Sequence, residues 1–149
     1  MVCKAPWRAV VQGSGLSWRI GARALRRECA LHPSLLRAVQ GSVLLQLHRQ
    51  TLAAACERFH LLSARLARWL LVCQDAAHSD RFHVTQEGMA RMLGVRRVGV
   101  TVAAGEFQHG GLIRYHRGEV TVLDRTALTA RACSCYAADH RLRLALPRR

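Results

Sequence analysis

The sequence predicts a mainly α-helical chain with one small β-hairpin near its C-terminal end. Three observations carry that reading. Apolar residues recur every three or four positions from Pro33 through Ala54 and again from Ala64 through Cys73, the period of a helix with one buried face. Met89, Leu93, Val95, Val100 and Ala103 continue that period on both sides of Gly94, where a sharp turn between two short helices needs positive φ. Two alternating runs, Leu112–His116 and Glu119–Leu123, flank Arg117-Gly118, a two-residue turn between paired strands.

Taken in order, the chain opens on a short mixed segment. Trp7–Val11 and Leu16–Ile20 alternate as strands would, with a turn at Gly13-Ser14-Gly15; two strands alone are marginal in water. Arg23–Leu31 predicts a short helix that ends before His32-Pro33, because a residue preceding proline avoids the α region. Pro33 then starts a long helix, a position where proline is well tolerated. Its stripe of Leu36, Val39, Val43, Leu47, Gln50 and Ala54 is widened by Leu35, Leu44 and Leu45. The stripe serves either an intramolecular core or a partner; so much apolar surface on one helix argues for a partner.

Cys56–His60 begins a join. Leu61-Leu62 offers no capping side chain for the next helix, which costs its start roughly 1 kcal/mol. That helix presents Leu66, Trp69, Leu70 and Cys73 on one face, expected to cover the motif that follows, and 76–82 reads as a polar loop. Phe82-His83-Val84 is a brief extended entry. Thr85 is the expected N-cap of the first motif helix, with Gln86-Glu87 in a first turn whose dipole favours acidic groups. Ala90 is small where a second helix must approach, and Arg96-Arg97 opens that second helix. Asp124-Arg125-Thr126 caps one last helix, 127–138, and a basic tail closes the chain.

This succession is that of a winged helix-turn-helix, and the stretch from Thr85 through Leu112-Ile113 and the hairpin resembles the DNA-binding domain of the Crp/Fnr family of bacterial transcription regulators. The resemblance implies a long dimerisation helix followed by a winged helix-turn-helix domain. The expected organisation is 1–32, a remnant of a β-roll sensor domain with a short helix; 33–75, the dimerisation helix and a connecting helix; 76–140, the DNA-binding domain; and 141–149, the basic tail. The resemblance makes Leu36, Val39, Val43 and Leu47 the dimer face and double-stranded DNA the ligand, with RNA polymerase a further candidate partner and the cytoplasm the expected location. Arg97 falls where the family places a base-reading arginine, whose two donors match O6 and N7 of guanine. Arg96 and Thr101 are its neighbouring candidates, for phosphate or a thymine methyl. Thr85, Gln86, His116 and Arg117 are candidates for contacts to the DNA backbone that fix register.

The sequence also departs from the family. Val98 and Val102 stand where polar base readers are common, which argues against the cyclic-AMP receptor's familiar target. Gly88 replaces a bulky packing residue. Gly99 and Gly105 lie inside the reading helix, each costing roughly 1 kcal/mol against alanine, and so predict a weakened reader. No Gly-Glu…Arg-Ser/Thr cassette for a cyclic nucleotide phosphate is present, so no cyclic-nucleotide control is expected.

Composition bounds the alternatives. The chain has 149 residues, 50% hydrophobic, with formal net charge +14. That is enough apolar content for a core, and the basic excess suits a polyanion, although an arginine-rich composition also follows from GC-rich coding DNA. Aromatics at 5% are too few for the stacking platform of a single-stranded RNA binder. No apolar run reaches the roughly 18 residues of a membrane span. The six cysteines, at positions 3, 29, 56, 73, 133 and 135, are expected as thiols. Cys133-Ser134-Cys135 is tighter than the usual zinc pair of two to four intervening residues; a site with His109 or His116 is conceivable, but idle cysteines are the preferred reading, and nothing matches the N-terminal cysteine group that holds an iron–sulfur cluster in some Fnr-type proteins. No metal, cofactor or catalytic residue is therefore expected, since no nucleophile, base and orienting group stand together. The leading function is a homodimeric regulator reading a palindromic site. The alternative is an interaction protein or fragment whose long helix pairs with a full-length regulator.

Overall fold

The computed structural model describes residue 11 and residues 15–145, with side chains as far as 142. Of the expected strand at 7–11 only Val11 lies inside these bounds, and the 13–15 turn and the last tail residues, 146–149, fall largely outside them. Residues 15–20 take no regular structure and are exposed. The strand expected at Leu16–Ile20 therefore does not form: no described strand lies beside it to satisfy its backbone.

Among the described residues seven helices and three strands follow: α1 Ala22–Leu31, α2 Pro33–Phe59, α3 Leu62–Ala77, β1 Arg81–His83, α4 Gln86–Leu93, α5 Arg97–His109, β2 Ile113–His116, β3 Glu119–Val122, α6 Arg125–Arg131 and α7 Cys135–Ala145. His32, extended at φ −126° and ψ 92° ahead of Pro33, separates α1 from α2. α2 ends at His60, and α3 starts after Leu61 without any side-chain cap, as expected from two adjacent leucines. His78 closes α3 in the left-handed region at φ 50°, which histidine tolerates better than most residues.

The core forms around α3. Leu66, Ala67, Leu70, Leu71 and Gln74 are buried, a spacing that keeps them on one face of a helix. They meet Met89, Ala90 and Leu93 of α4, Val100, Ala103, Ala104 and Phe107 of α5, and Leu128 of α6. Burying one such leucine stabilises the fold by roughly 1.5–3 kcal/mol. Trp69 packs against this cluster from its edge.

The sheet is three-stranded and antiparallel in the order β1-β3-β2. The short extended entry at 82–84 is thus a third strand shifted to 81–83, pairing Arg81 with Thr121, Phe82 with Val120 and His83 with Glu119. Ile113, Val120 and Val122 point inward and Arg114, His116 and Glu119 outward. Arg117 and Gly118 both have positive φ, 47° and 83°, the backbone of a tight hairpin turn whose twist matches its strands. A Cβ on Gly118 would come within 2.7 Å of His83 Cε1, so β1 seals the hairpin tip.

A single last helix is corrected to two. Ala132 is extended at φ −73° and ψ 150°, and Cys133 N–H donates to Ala64 O of α3 at 3.4 Å. Contact with α3 therefore takes over the backbone bonding at the break. Among the described residues no helix is long and apolar enough to cross a membrane.

Candidate nucleic-acid interface

Helix α4 is held at both ends by local chemistry. Thr85 Oγ1 accepts from Gly88 N–H at 3.0 Å, satisfying a donor the helix leaves free. At the other end Gly94 has φ 64°, and Val95 N–H reaches back to Ala90 O at 3.0 Å, the αL closure that favours glycine. Arg65 of α3 donates to Leu93 O, so the turn is pinned from beneath. Ala90 is buried, as the close approach of α4 and α5 requires.

Helix α5 then buries Val100, Ala103, Ala104 and Phe107 and turns the opposite face outward. Arg97, Val98, Thr101 and Val102 lie on that free face, with Val98 72% and Val102 58% exposed. Gln86, from the first turn of α4, meets it. Gln86 Oε1 accepts from Thr101 Oγ1 at 2.9 Å and from Arg97 Nε at 3.4 Å, while Gln86 N–H donates to Tyr115 Oη at 3.2 Å. Two residues singled out in the sequence, Arg97 and Thr101, therefore converge on the amide oxygen of a third, Gln86. Among the described residues Arg97 engages only its Nε, which leaves both Nη groups as a fork of donors. Arg96 occupies the N-cap position of α5 and is exposed.

The remaining candidates stand apart from this cluster. Thr85 spends its hydroxyl on the cap. His116 and Arg117 are exposed at the wing tip, next to Tyr115, whose Oη accepts from Gln86 N–H at 3.2 Å and whose N–H donates to Gln108 Oε1 of α5 at 2.8 Å. Sequence reasoning misses Tyr115 as a functional position. Its only signal is the strand alternation that sets it on the inner side with Ile113. The wing also turns Arg81, Arg114 and His116 outward, and the exposed Arg81–Glu119 pair at 3.8 Å contributes little to stability.

The glycines divide by environment. A Cβ on Gly99 would approach Leu62 Cδ2 to 2.9 Å, and one on Gly88 would approach Thr85 Oγ1 to 3.2 Å. A Cβ on Gly99 would thus press on the movable tip of Leu62, and one on Gly88 would press on the capping hydroxyl of Thr85. A Cβ on Gly105 would meet nothing within 4 Å, so its cost to α5 is uncompensated. Gly111, at φ 71°, closes α5, with Leu112 N–H on Phe107 O at 2.9 Å.

A polar network ties α3 to α6 and α7. Arg125 donates to Asp75 Oδ1 at 2.8 Å and to Tyr136 Oη at 2.6 Å, and Tyr136 Oη donates to Asp75 Oδ2 at 3.0 Å. Gln74 Nε2 donates to Asp80 Oδ1 at 2.6 Å. Burial, followed by the Asp75 carboxylate, raises the Tyr136 phenol above its ordinary range. Asp80 reads in the sequence only as part of a polar loop, and Asp75 finds its partner, Arg125, far along the chain.

Residues 64–131, which hold this face and the wing, match the model of the Crp-like helix-turn-helix domain. The solved structures similar to the chain include two regulators of this kind. A protein of the Crp/Fnr family from Eubacterium rectale superposes with a TM-score of 0.58 at 22% identity, covering 76% of this chain and 53% of its own. A transcriptional regulator of the CRP family from Thermus thermophilus superposes with a TM-score of 0.56 at 24% identity, covering 66% of this chain and 54% of its own. The chain thus spans about half the length of each of these two structures. No curated protein matches the sequence.

Proposed function

Given that residues 64–131 form a Crp-like helix-turn-helix domain, we propose that the chain is a sequence-specific DNA-binding transcription regulator that grips a palindromic site as a homodimer. The observation that carries this reading is the free face of α5. Arg97, Val98, Thr101 and Val102 are exposed there, and Gln86 holds Arg97 and Thr101 in place. Arg97 supplies paired donors for a guanine edge, and Val98 and Val102 supply apolar contacts for thymine methyls. Arg96, Thr85, His116 and Arg117 flank this face as contacts to phosphate, and the net charge of +14 strengthens them without regard to sequence.

The dimer rests on α2. Val43 and Leu47 are each 63% exposed on the same helix face as Leu36, a run of apolar side chains that a parallel twin would cover. Two such chains would set their α5 helices in successive major grooves, about 34 Å apart. This binding is taken to need no cyclic nucleotide, and a roughly tenfold gain in affinity on adding one, about 1.4 kcal/mol, would overturn that part of the reading.

Selection from a random pool of duplex DNA, with wild type beside Arg97→Ala, tests the proposal. Recovery of a palindrome with half-sites one turn apart, relaxed at one base position by Arg97→Ala, supports it. Salt-sensitive binding without sequence preference, equal in both proteins, would sink it. A second reading shares the exposed α2 face: the chain pairs with a longer regulator instead of with itself. Sedimentation of the purified chain separates the two, since a homodimer dispersed by Val43→Glu favours the first and a monomer the second.

A further inference from the structure

Cys56 lies in the last turn of α2, while Cys133 and Cys135 lie at the break between α6 and α7. All three are buried, and their sulfur atoms lie within 4.8 Å of one another, Cys56 and Cys133 at 3.4 Å. We propose that Cys56, Cys133 and Cys135 form a binding site for one thiophilic divalent d10 ion, of which zinc is the common representative.

Spacing in the sequence hid this set. Within a helix, residues two apart point to nearly opposite sides. The extended Ala132 and the non-helical Cys133 free Cys133 and Cys135 from that rule, so that both sulfurs converge. The third ligand arrives from 77 residues away. Thiolates about 2.3 Å from zinc sit roughly 3.8 Å apart in a tetrahedron, a separation that falls between the shortest and longest allowed by this cluster. An all-sulfur donor set selects soft ions over magnesium or calcium. No fourth histidine, cysteine or carboxylate joins the group among the described residues, so a water would complete the coordination.

The surroundings suit the charge. Three thiolates and a divalent ion sum to one negative charge. The Arg68 guanidinium lies near Cys56 and Cys135, where its positive charge opposes that net negative one, and among the described residues its Nε is buried without a hydrogen-bond partner. Metal-bound cysteines are thiolates, so binding releases protons and tightens as pH rises. The bound ion would clasp the end of α2 to the C-terminal helices, beside the Arg49–Asp139 ion pair at 2.9 Å. The site does not depend on the DNA-binding reading, and its test uses no DNA.

The purified, reduced, metal-free chain is titrated with cadmium while the sulfur-to-metal absorption is followed, and zinc-loaded protein is examined by X-ray absorption. One equivalent, three sulfur neighbours, and at least tenfold weaker binding in each of Cys56→Ser, Cys133→Ser and Cys135→Ser support the proposal. Cys73→Ser should bind like wild type. Absence of the absorption band, fewer than three sulfurs, or a titration unchanged in all three variants overturns it. The sulfur count is made on the wild-type chain, so a variant that fails to fold does not remove the test.

Discussion

Thr101 Oγ1 donates to Gln86 Oε1 at 2.9 Å, tying the first turn of α4 to the exposed face of α5. The same oxygen takes Arg97 Nε at 3.4 Å. A glutamine in one helix therefore sets the posture of the arginine and threonine offered by the other.

Because these side chains lie outside the core, changing them should separate binding from folding. Arg97→Ala should leave thermal stability within about 0.5 kcal/mol and lower discrimination at one base position by roughly 1–3 kcal/mol. Gln86→Ala should weaken the same discrimination less, by freeing Arg97. Melting curves beside competition binding check both; a large loss of stability in either variant would show the cluster to be structural.

The glycines of the motif should respond in opposite directions. Gly105→Ala should stabilise the chain by up to about 1 kcal/mol, since its Cβ meets nothing within 4 Å. Gly94→Ala should destabilise it by at least roughly 1–2 kcal/mol, the cost of the left-handed backbone for an L-residue, and its Cβ would also lie 2.8 Å from Glu57 Oε1. Urea unfolding of the two variants provides the comparison.

Leu70→Ala removes a fully buried side chain at the centre of α3. A loss of roughly 2–5 kcal/mol is expected, with α4, α5 and α6 loosened together because all three pack on α3. Hydrogen exchange should show protection falling in the three helices at once, and a fall limited to α3 would contradict a shared core.

Burial pushes the Cys73 thiol up to about 12 from 9.0. Below pH 9 this thiol is neutral in both states and its contribution is fully present. Between pH 9 and about 12 only the unfolded chain ionises, so stability falls as pH rises. Cys73→Ala should flatten that fall, and denaturant midpoints measured across the window test it. Cys56 moves in the same direction, so some slope should persist in the variant.

Much of this fold is legible in the sequence because local rules and tertiary demands agree. Gly94, expected at a left-handed turn, has φ 64°, and Thr85, expected as a cap, accepts from Gly88. The period of α4 and α5 names Met89, Leu93, Val100 and Ala103, all buried. The alternation on either side of Arg117-Gly118 places both wing strands to within a residue. At the candidate interface, Gln86, Arg97 and Thr101 can be named one by one, but their meeting at one oxygen cannot, since α4 and α5 bring them together only across the turn.

The sequence by itself determined the helices long enough to show a period, the turn that only glycine accommodates easily, and the hairpin. Each of these depends on neighbours within a few residues. The tertiary structure alone decided the rest. Three residues, Arg81–His83, are too few to show alternation and become a strand because β3 offers an unpaired edge. The stretch Arg131–Cys135 carries no proline or glycine, and it breaks where Cys133 N–H leaves the helix for Ala64 O. Three cysteines spread from α2 to α7 share one buried point because α2 packs against α7 and Cys133 N–H bonds to Ala64 O of α3. Such arrangements depend on which surfaces meet, and spacing along the chain does not record that.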